Sequence, residues 1–355
     1  MNTKSELMHH VALFFNCDDA MVQMLHLDVN GSMSSKIEDG LDGSIFRFKL
    51  LFNGKTIIVK MKNSSFINNV GETMNYYGLD SFRENYKMGF GLFYTRNCHS
   101  REKYIYSYLD DSLKKYIPHY YGSIDVSSQE CLHIMEDIPI VQSPVRIDYI
   151  IDFLSDLHER YYEDEKAVEK MMVNIPTLDD FHFGKHLSDV LFSNIQKLYP
   201  NFPSEIINDL KDFSNNPQYI FEQLHSFPLT ICHGDFAIKN LSFIEKRVVV
   251  YDWELSTFNN PEFDLVSFMV FYPTELTSNL ISNIINRYYG KIKKRICYDV
   301  QSALYFNTKL LMASRFHAMM NIALRVEMPY MDSAINNWIY LYNFLKNNFN
   351  EHIYE

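Results

Sequence analysis

The stretch from Leu229 to Leu265, LTICHGDFAIKNLSFIEKRVVVYDWELSTFNNPEFDL, constrains the fold more than any other part of the chain. Its apolar runs Leu229–Cys232 and Val248–Tyr251 have the character of short buried strands, and each stops where polar residues begin. His233-Gly234-Asp235 follows the first run, with Asn240 five positions after Asp235, and Asp252-Trp253-Glu254 follows the second. Two strand ends on either side of a tight hairpin thus bring a carboxylate, an amide and a second carboxylate into one small space.

That set has a definite chemistry. One carboxylate can orient an attacking hydroxyl and accept its proton, while the amide and the second carboxylate can hold Mg²⁺ on the phosphates of a nucleotide. The ordered pattern H-G-D-x-x-x-x-N, hydrophobic strand, D-W-E resembles the aminoglycoside phosphotransferase and choline kinase-like branch of the protein-kinase-like fold. The resemblance implies an α+β bilobal molecule, with a small antiparallel sheet lobe followed by a larger, mostly helical one. It implies that Asp235 is the catalytic base, that Asn240 and Asp252 are magnesium ligands, and that His233 and Gly234 shape the catalytic loop. Asp264, in Glu262-Phe263-Asp264-Leu265, would buttress that loop from the helical lobe.

The clearest local signal lies earlier. Ile45–Phe52 and Thr56–Met61 are strand-like, and Asn53-Gly54 between them is the preferred sequence of a two-residue type I′ turn. Period two places Ile57, Val59 and Met61 on one face, and Ile58, Lys60 and Lys62 on the other. A lysine between Val59 and Met61 is costly unless it meets an anion. By the resemblance Lys60 is the phosphate-contacting lysine, with Lys62 as its rival, and Gly40–Ser44, with Gly43 and Ser44 at its end, is the loop over the phosphates. The lysine needs a carboxylate on a following helix. Ser100 can cap a helix starting at Arg101, with Ile105, Tyr108, Leu109 and Leu113 inward. Glu102 there is the chosen partner, and Glu84 the alternative, inside an insertion at residues 66–95.

Tyr120–Ile124 and Cys131–Met135 complete the sheet, and the resemblance makes Met135–Ile138, including the backbone of Glu136 and Ile138, the nucleotide-binding hinge. The expected division is residues 1–135 for the first lobe, 136–140 for the hinge and 141–355 for the helical lobe. Residues 4–26 read as two helical pieces, the second holding Met21, Met24 and Leu25. Ser143-Pro144 reads as cap and first position of an amphipathic helix carrying Ile147, Ile150, Ile151, Leu154 and Leu157. The acids Glu163-Asp164-Glu165 and Asp179-Asp180 read as solvated helix faces. Residues 275–296, 298–325 and 332–348 read as long helices, in which Arg315, His317 or Trp338, with Tyr272, are candidate pocket walls.

Composition narrows the partners. A net charge of −11 with no dominant basic patch argues against nucleic acid and is compatible with a cationic substrate. The five scattered cysteines form no C-x-x-C, so neither a disulfide framework nor a zinc site is expected. No apolar run reaches a membrane-spanning length and no signal peptide is evident, so the expected location is cytoplasmic. Through the resemblance, the donor is ATP or GTP and the acceptor a hydroxyl of a small molecule. Trp253-Glu254 is closer to antibiotic kinases, whereas the run Asp252–Asn260 is also similar to choline kinases. An antibiotic or related natural product is therefore the first acceptor class, and choline, ethanolamine or a sugar the second. A protein-directed kinase is disfavoured, because H-G-D stands where protein kinases have H-R-D and no A-P-E follows Asp252.

Overall fold

Alternation of apolar and polar residues builds a five-stranded antiparallel sheet in the N-terminal part, with strand order β1-β2-β3-β5-β4. The strands are β1 (Val22–Leu25), β2 (Ile45–Leu50), β3 (Thr56–Asn63), β4 (Tyr120–Asp125) and β5 (Glu130–Glu136). They are seen in a computed structural model that describes residues 4–25, 45–63, 98–127, 130–182, 185, 192, 195, 199–292, 297–325 and 329–351. On one face Ile57, Val59 and Met61 are buried with Phe48, Leu50, Leu132 and Ile134 beneath Leu7 and Val11 of helix α1 (Lys4–Phe14). On the other, Ile58 packs against the larger core, and Lys60 and Lys62 point the same way. The period-two reading of β3 holds.

Several expectations change. The second helical piece near the N-terminus is instead a one-turn helix, Asp19–Met21, followed by edge strand β1. Val22 is buried and pairs with Leu50, because strand pairing satisfies backbone groups that a four-residue helix would leave open. Strand β2 ends at Leu50, not Phe52, and the hairpin loop is five residues long, with both Asn53 and Gly54 N–H groups returning to the Leu50 carbonyl. Only Gly54 has positive φ (+71°), so the turn is not the two-residue I′ form, which needs two such residues.

Helix α2 (Cys98–Tyr108) already includes Ser100, which therefore caps nothing at Arg101. Ile105, Leu109 and Leu113 are buried as expected, but Tyr106 takes the inward place and Tyr108 is exposed. Helix α3 begins at Ile147 with Arg146 at its cap and no side-chain bond there, so Ser143-Pro144 belongs to the linker. Tyr161 closes α3, Glu163 lies in the turn after it, and Asp164 caps α4 (Glu165–Lys170) through the Ala167 amide at 3.1 Å. Asp180 is not a solvated charge: it is buried and accepts from the Thr177 amide and hydroxyl, both at 2.7 Å.

The larger core gathers around α7 (Glu262–Val270), whose every residue is buried, as a helix hydrophobic nearly all round requires. Against it lie α3, α5 (Ser204–Ser214), α6 (Pro217–Ser226), α8 (Ser278–Lys291), α9 (Val300–Arg325) and α10 (Pro329–Glu351). Trp338 is fully buried in this core and walls no pocket, while the side chains of Arg315 and His317 lie outside the described residues. Two short ladders stand at the front of the helices: β6 (Thr230–Cys232) with β9 (Thr257–Asn259), and the hairpin β7 (Leu241–Ile244) with β8 (Arg247–Val250). The linker after β5 is stitched to this hairpin by Phe243 N to Val141 O at 2.7 Å and Val141 N to Ser242 Oγ at 2.9 Å.

Candidate active site

The hairpin β7–β8 decides which side chains meet. Its last pair is Leu241 with Val250, and the Tyr251 amide bonds the Asn240 carbonyl at 3.1 Å, so Asn240 and Asp252 leave the ladder side by side. The Asn240 amide nitrogen donates to the Asp235 carbonyl at 2.8 Å and to its Oδ2 at 3.0 Å. The three residues picked out from the sequence are thus brought together, and with its amide nitrogen engaged Asn240 has its side-chain oxygen as the atom it could offer a cation.

Asp264 anchors the loop from below. Buried on the first turn of α7, it accepts from the His233 amide at 2.6 Å and the Gly234 amide at 2.9 Å. His233 joins the two halves of the site: its Nδ1 accepts from the Asp235 amide at 3.3 Å and its Nε2 donates to the Tyr251 carbonyl at 3.1 Å. Gly234 adopts φ +82°, and a Cβ there would lie 2.0 Å from the Leu255 carbonyl oxygen. Only glycine fits a backbone packed so closely on the Asp252 loop. Asp252 is itself left-handed (φ +71°), a conformation that aspartate tolerates better than most residues.

From the sheet side, Lys60 Nζ reaches both Glu102 oxygens, at 2.9 and 3.0 Å, and Asp252 Oδ1 at 2.6 Å. Glu102 is placed at the lysine; the alternative Glu84, the insertion at 66–95, Gly43 and Ser44 lie outside the described residues. Lys62 is no bystander. It bonds Glu254 and stands 3.7 Å from Asp252 and 4.0 Å from Glu102. Burial works against charge throughout this cluster; it prevails at Glu254, whose carboxyl it pushes up, but the opposite charges win at Lys60 and Asp252. Lys60 is held above its ordinary range, with Asp252 and Glu102 outweighing burial. Asp252 is held well below the carboxylate range by Lys60 and then Lys62. Both therefore stay ionised near neutral pH.

Two contacts were missed from the sequence. Arg101 is almost fully buried and donates through Nη1 to the Glu254 carbonyl at 2.6 Å, so α2 grips the Asp252 loop as well as carrying Glu102. Lys239, between the base and the amide in the loop, places Nζ 2.8 Å from Asp235 Oδ2. Its signal was its spacing: four residues after Asp235, one turn away in a loop that ends in a short helix, Ile238–Asn240. At the end of β5, the Glu136 amide bonds the His119 carbonyl at 2.8 Å, and Asp137 pairs bidentately with Arg47 at 2.9 and 3.0 Å.

A second group of ligand-type side chains, His158, Cys232 and Asp264, lies behind the loop. Its atoms are engaged in packing. His158 Nδ1 meets the Tyr288 hydroxyl at 2.6 Å, Cys232 donates to the Asn260 carbonyl at 3.3 Å, and Asp264 holds the loop amides. Burial pushes the Cys232 thiol far above its ordinary range, leaving it inert. The asparagines after Asp252 are structural too: Asn260 Nδ2 donates to the carbonyls of Leu224 and Pro228 at 3.0 and 3.1 Å.

With this geometry in place, the likeness to known proteins is specific. The model of the phosphotransferase enzyme family matches residues 141–296, a little under half of the chain and the part that carries the loop and hairpin. Choline kinase from Cryptosporidium parvum Iowa II superimposes with a TM-score of 0.55 at 12% identity, over 99% of this chain and 98% of that one. Ethanolamine kinase from Plasmodium vivax gives 0.52 at 10% identity, over 94% and 85%. An aminoglycoside phosphotransferase solved with ADP and hygromycin B gives 0.51 at 10% identity, over 96% and 98%. No curated protein matches the chain in sequence. The class is that of phosphotransferases of protein-kinase-like fold acting on an alcohol group. Within it, the chain is similar to aminoglycoside phosphotransferases and choline kinases, the matched segment containing His233–Asn240 and Asp252–Glu254.

Proposed function

We propose that this chain is a small-molecule kinase that moves the γ-phosphoryl group of ATP or GTP to a hydroxyl of an antibiotic or related natural product. The carrying observation is the convergence of Asp235, Asn240 and Asp252 around one hairpin end, faced by Lys60 paired with Glu102. In this reading Asp235 aligns the acceptor hydroxyl and takes its proton as the new O–P bond forms and the bond to the nucleoside diphosphate breaks. The site fits a magnesium ion, since Asn240 and Asp252 offer hard oxygen donors from adjacent ladder positions. Mg²⁺ held there supplies charge neutralisation on the phosphates. Lys60 steadies them, and His233, Gly234 and Asp264 keep the loop in place.

The reading keeps residues 1–135 as the nucleotide lobe, 136–140 as the hinge and 141–355 as the helical lobe. Backbone groups of Glu136 and Ile138 receive the base, and Gly43 and Ser44 cover the phosphates. The solved relative with ADP and hygromycin B supports a nucleotide donor and an antibiotic acceptor for the present chain.

The test is mass spectrometry of a panel of antibiotics, choline, ethanolamine and sugars after incubation with Mg²⁺ and ATP or GTP. Added phosphate on an aminoglycoside, macrolide or peptide antibiotic is the expected result. Phosphate on choline or ethanolamine alone moves the acceptor to the metabolite class, and labelled protein with an unlabelled panel overturns the small-molecule reading.

A further inference from the structure

We propose that Lys239 is a further catalytic residue, the cation that meets the phosphoryl group in transfer. The inference rests on the kinase reading above and adds a residue that neither the motif nor the family pattern invoked there assigns.

The other positive charges at the site are already committed. Lys60 is divided among both oxygens of Glu102 and one of Asp252, and its side chain is only 9% exposed. Lys62 is drawn to Glu254 with Asp252 and Glu102 close behind. Arg101 is buried against the Glu254 carbonyl. These three approach from the sheet and α2, behind Asp252. Lys239 comes from the loop that carries Asp235 itself. Its Nζ lies 2.8 Å from Asp235 Oδ2, and its charge also bears on Asp252. If Asp235 activates the acceptor, a cation seated on its carboxylate lies where the phosphoryl group is received.

Its exposure agrees. The Lys239 side chain is 42% exposed, whereas Asp235 beside it is 11% exposed, so the ammonium sits at the mouth of the site with rotamer freedom to follow a ligand. The backbone beneath is fixed: Lys239 belongs to the one-turn helix Ile238–Asn240, and its carbonyl accepts from the Tyr251 hydroxyl at 3.0 Å. A flexible four-carbon stem on a rigid turn suits a group that trades a carboxylate for a phosphoryl oxygen. Transfer spreads negative charge over the equatorial oxygens, and a cation preplaced there stabilises it without reorganisation. The same ammonium is paired with Asp235. On phosphate binding, Asp235 Oδ2 is released towards the acceptor hydroxyl, with Asn240 retaining its bond.

The test compares Kd values of the full-length chain for Mg²⁺-ADP and for Mg²⁺-AMP-PNP, which carries the third phosphate, by titration calorimetry. K239M is expected to weaken AMP-PNP about tenfold, the scale of one lost charge-assisted hydrogen bond, and to leave ADP within about twofold. K239R is expected to restore most of the difference. Circular dichroism and the melting temperature of each variant show whether the fold is kept. If K239M binds both nucleotides as the native chain does, or weakens both equally while folded, the inference is overturned and the kinase reading stands. A native chain that binds neither nucleotide overturns the kinase reading, and the inference with it.

Discussion

A carboxylate can sit at this site for two different reasons, and single substitutions separate them. Asp235 is held by Asn240 and Lys239 yet reaches the open side of the site, so D235N keeps size and most hydrogen bonding while removing the base. Turnover is expected to fall by roughly 10² to 10⁴, the range for losing a general base, with nucleotide affinity changed only a few-fold. Steady-state kinetics beside calorimetry checks this, and native turnover in D235N would rule out Asp235 as base. Glu102 is fully buried and serves structure. Burial alone would raise its pKa, but Lys60 and then Lys62 outweigh that and hold it below the ordinary range. A folded-state pKa below the unfolded one stabilises the fold in full above about pH 4, and that stability is lost as pH falls through the folded value. E102Q should therefore be less stable than the native chain at neutral pH, and its loss of stability on acidification should be shallower. Urea unfolding from neutral to acid pH measures both, and parallel acid limbs would contradict the assignment.

Loops at this scale are positioned by backbone fit, and two glycines show how much. Gly54 has φ +71° with nothing within 4 Å of the place a Cβ would take, so G54A meets only the left-handed backbone cost of about 1 kcal/mol. Gly234 has φ +82° and a Leu255 oxygen 2.0 Å from that position, so G234A must also part the catalytic loop from the Asp252 loop. The expected result is a small shift in melting temperature with full activity for G54A, and activity lost by more than 10²-fold for G234A, since misplacing the base by about 1 Å costs that much. Equal activities would show that the loops can separate freely. The same contrast explains what was legible in the sequence. Ordered motif spacing picked out Asp235, Asn240 and Asp252, and the period of β3 put Lys60 and Lys62 on one face, because both depend on local backbone geometry; the choice of Lys60 over Lys62 came from the resemblance. The role of Asp264 came with the motif and was met by its two bonds to loop amides. Lys62 with Glu254, and Arg101 with the Glu254 carbonyl, join residues more than 150 apart in sequence, and nothing local marks such pairings. Caps were misplaced at Ser100 and Ser143, and edge strand β1 was read as helix, because a short segment's partner lies elsewhere in the chain.

Across the whole molecule, the cluster at the front of the sheet is where its two parts meet electrostatically. Lys60 and Lys62 from β3 face Glu102 from α2 and Asp252 and Glu254 from the helical part, so two ammoniums meet three carboxylates. A triphosphate entering that field adds to a negative excess, and its binding must depend on a divalent cation more than a site of balanced charge would. In the proposed reading the nucleotide touches both parts, so its binding stabilises the entire fold. At a nucleotide concentration about 100 times Kd the gain is about 2.7 kcal/mol, which raises the melting temperature of a chain this size by several degrees. The expected outcome is a clear upward shift with Mg²⁺-ATP that EDTA abolishes or nearly abolishes. D252N should retain a melt of its own but lose the magnesium-dependent part of that shift, because the metal then has one oxygen ligand fewer while Lys60 remains on Glu102. An ATP shift of equal size with and without Mg²⁺, in the native chain and in D252N alike, would mean that the lysines alone hold the phosphates and that Asn240 and Asp252 have another task.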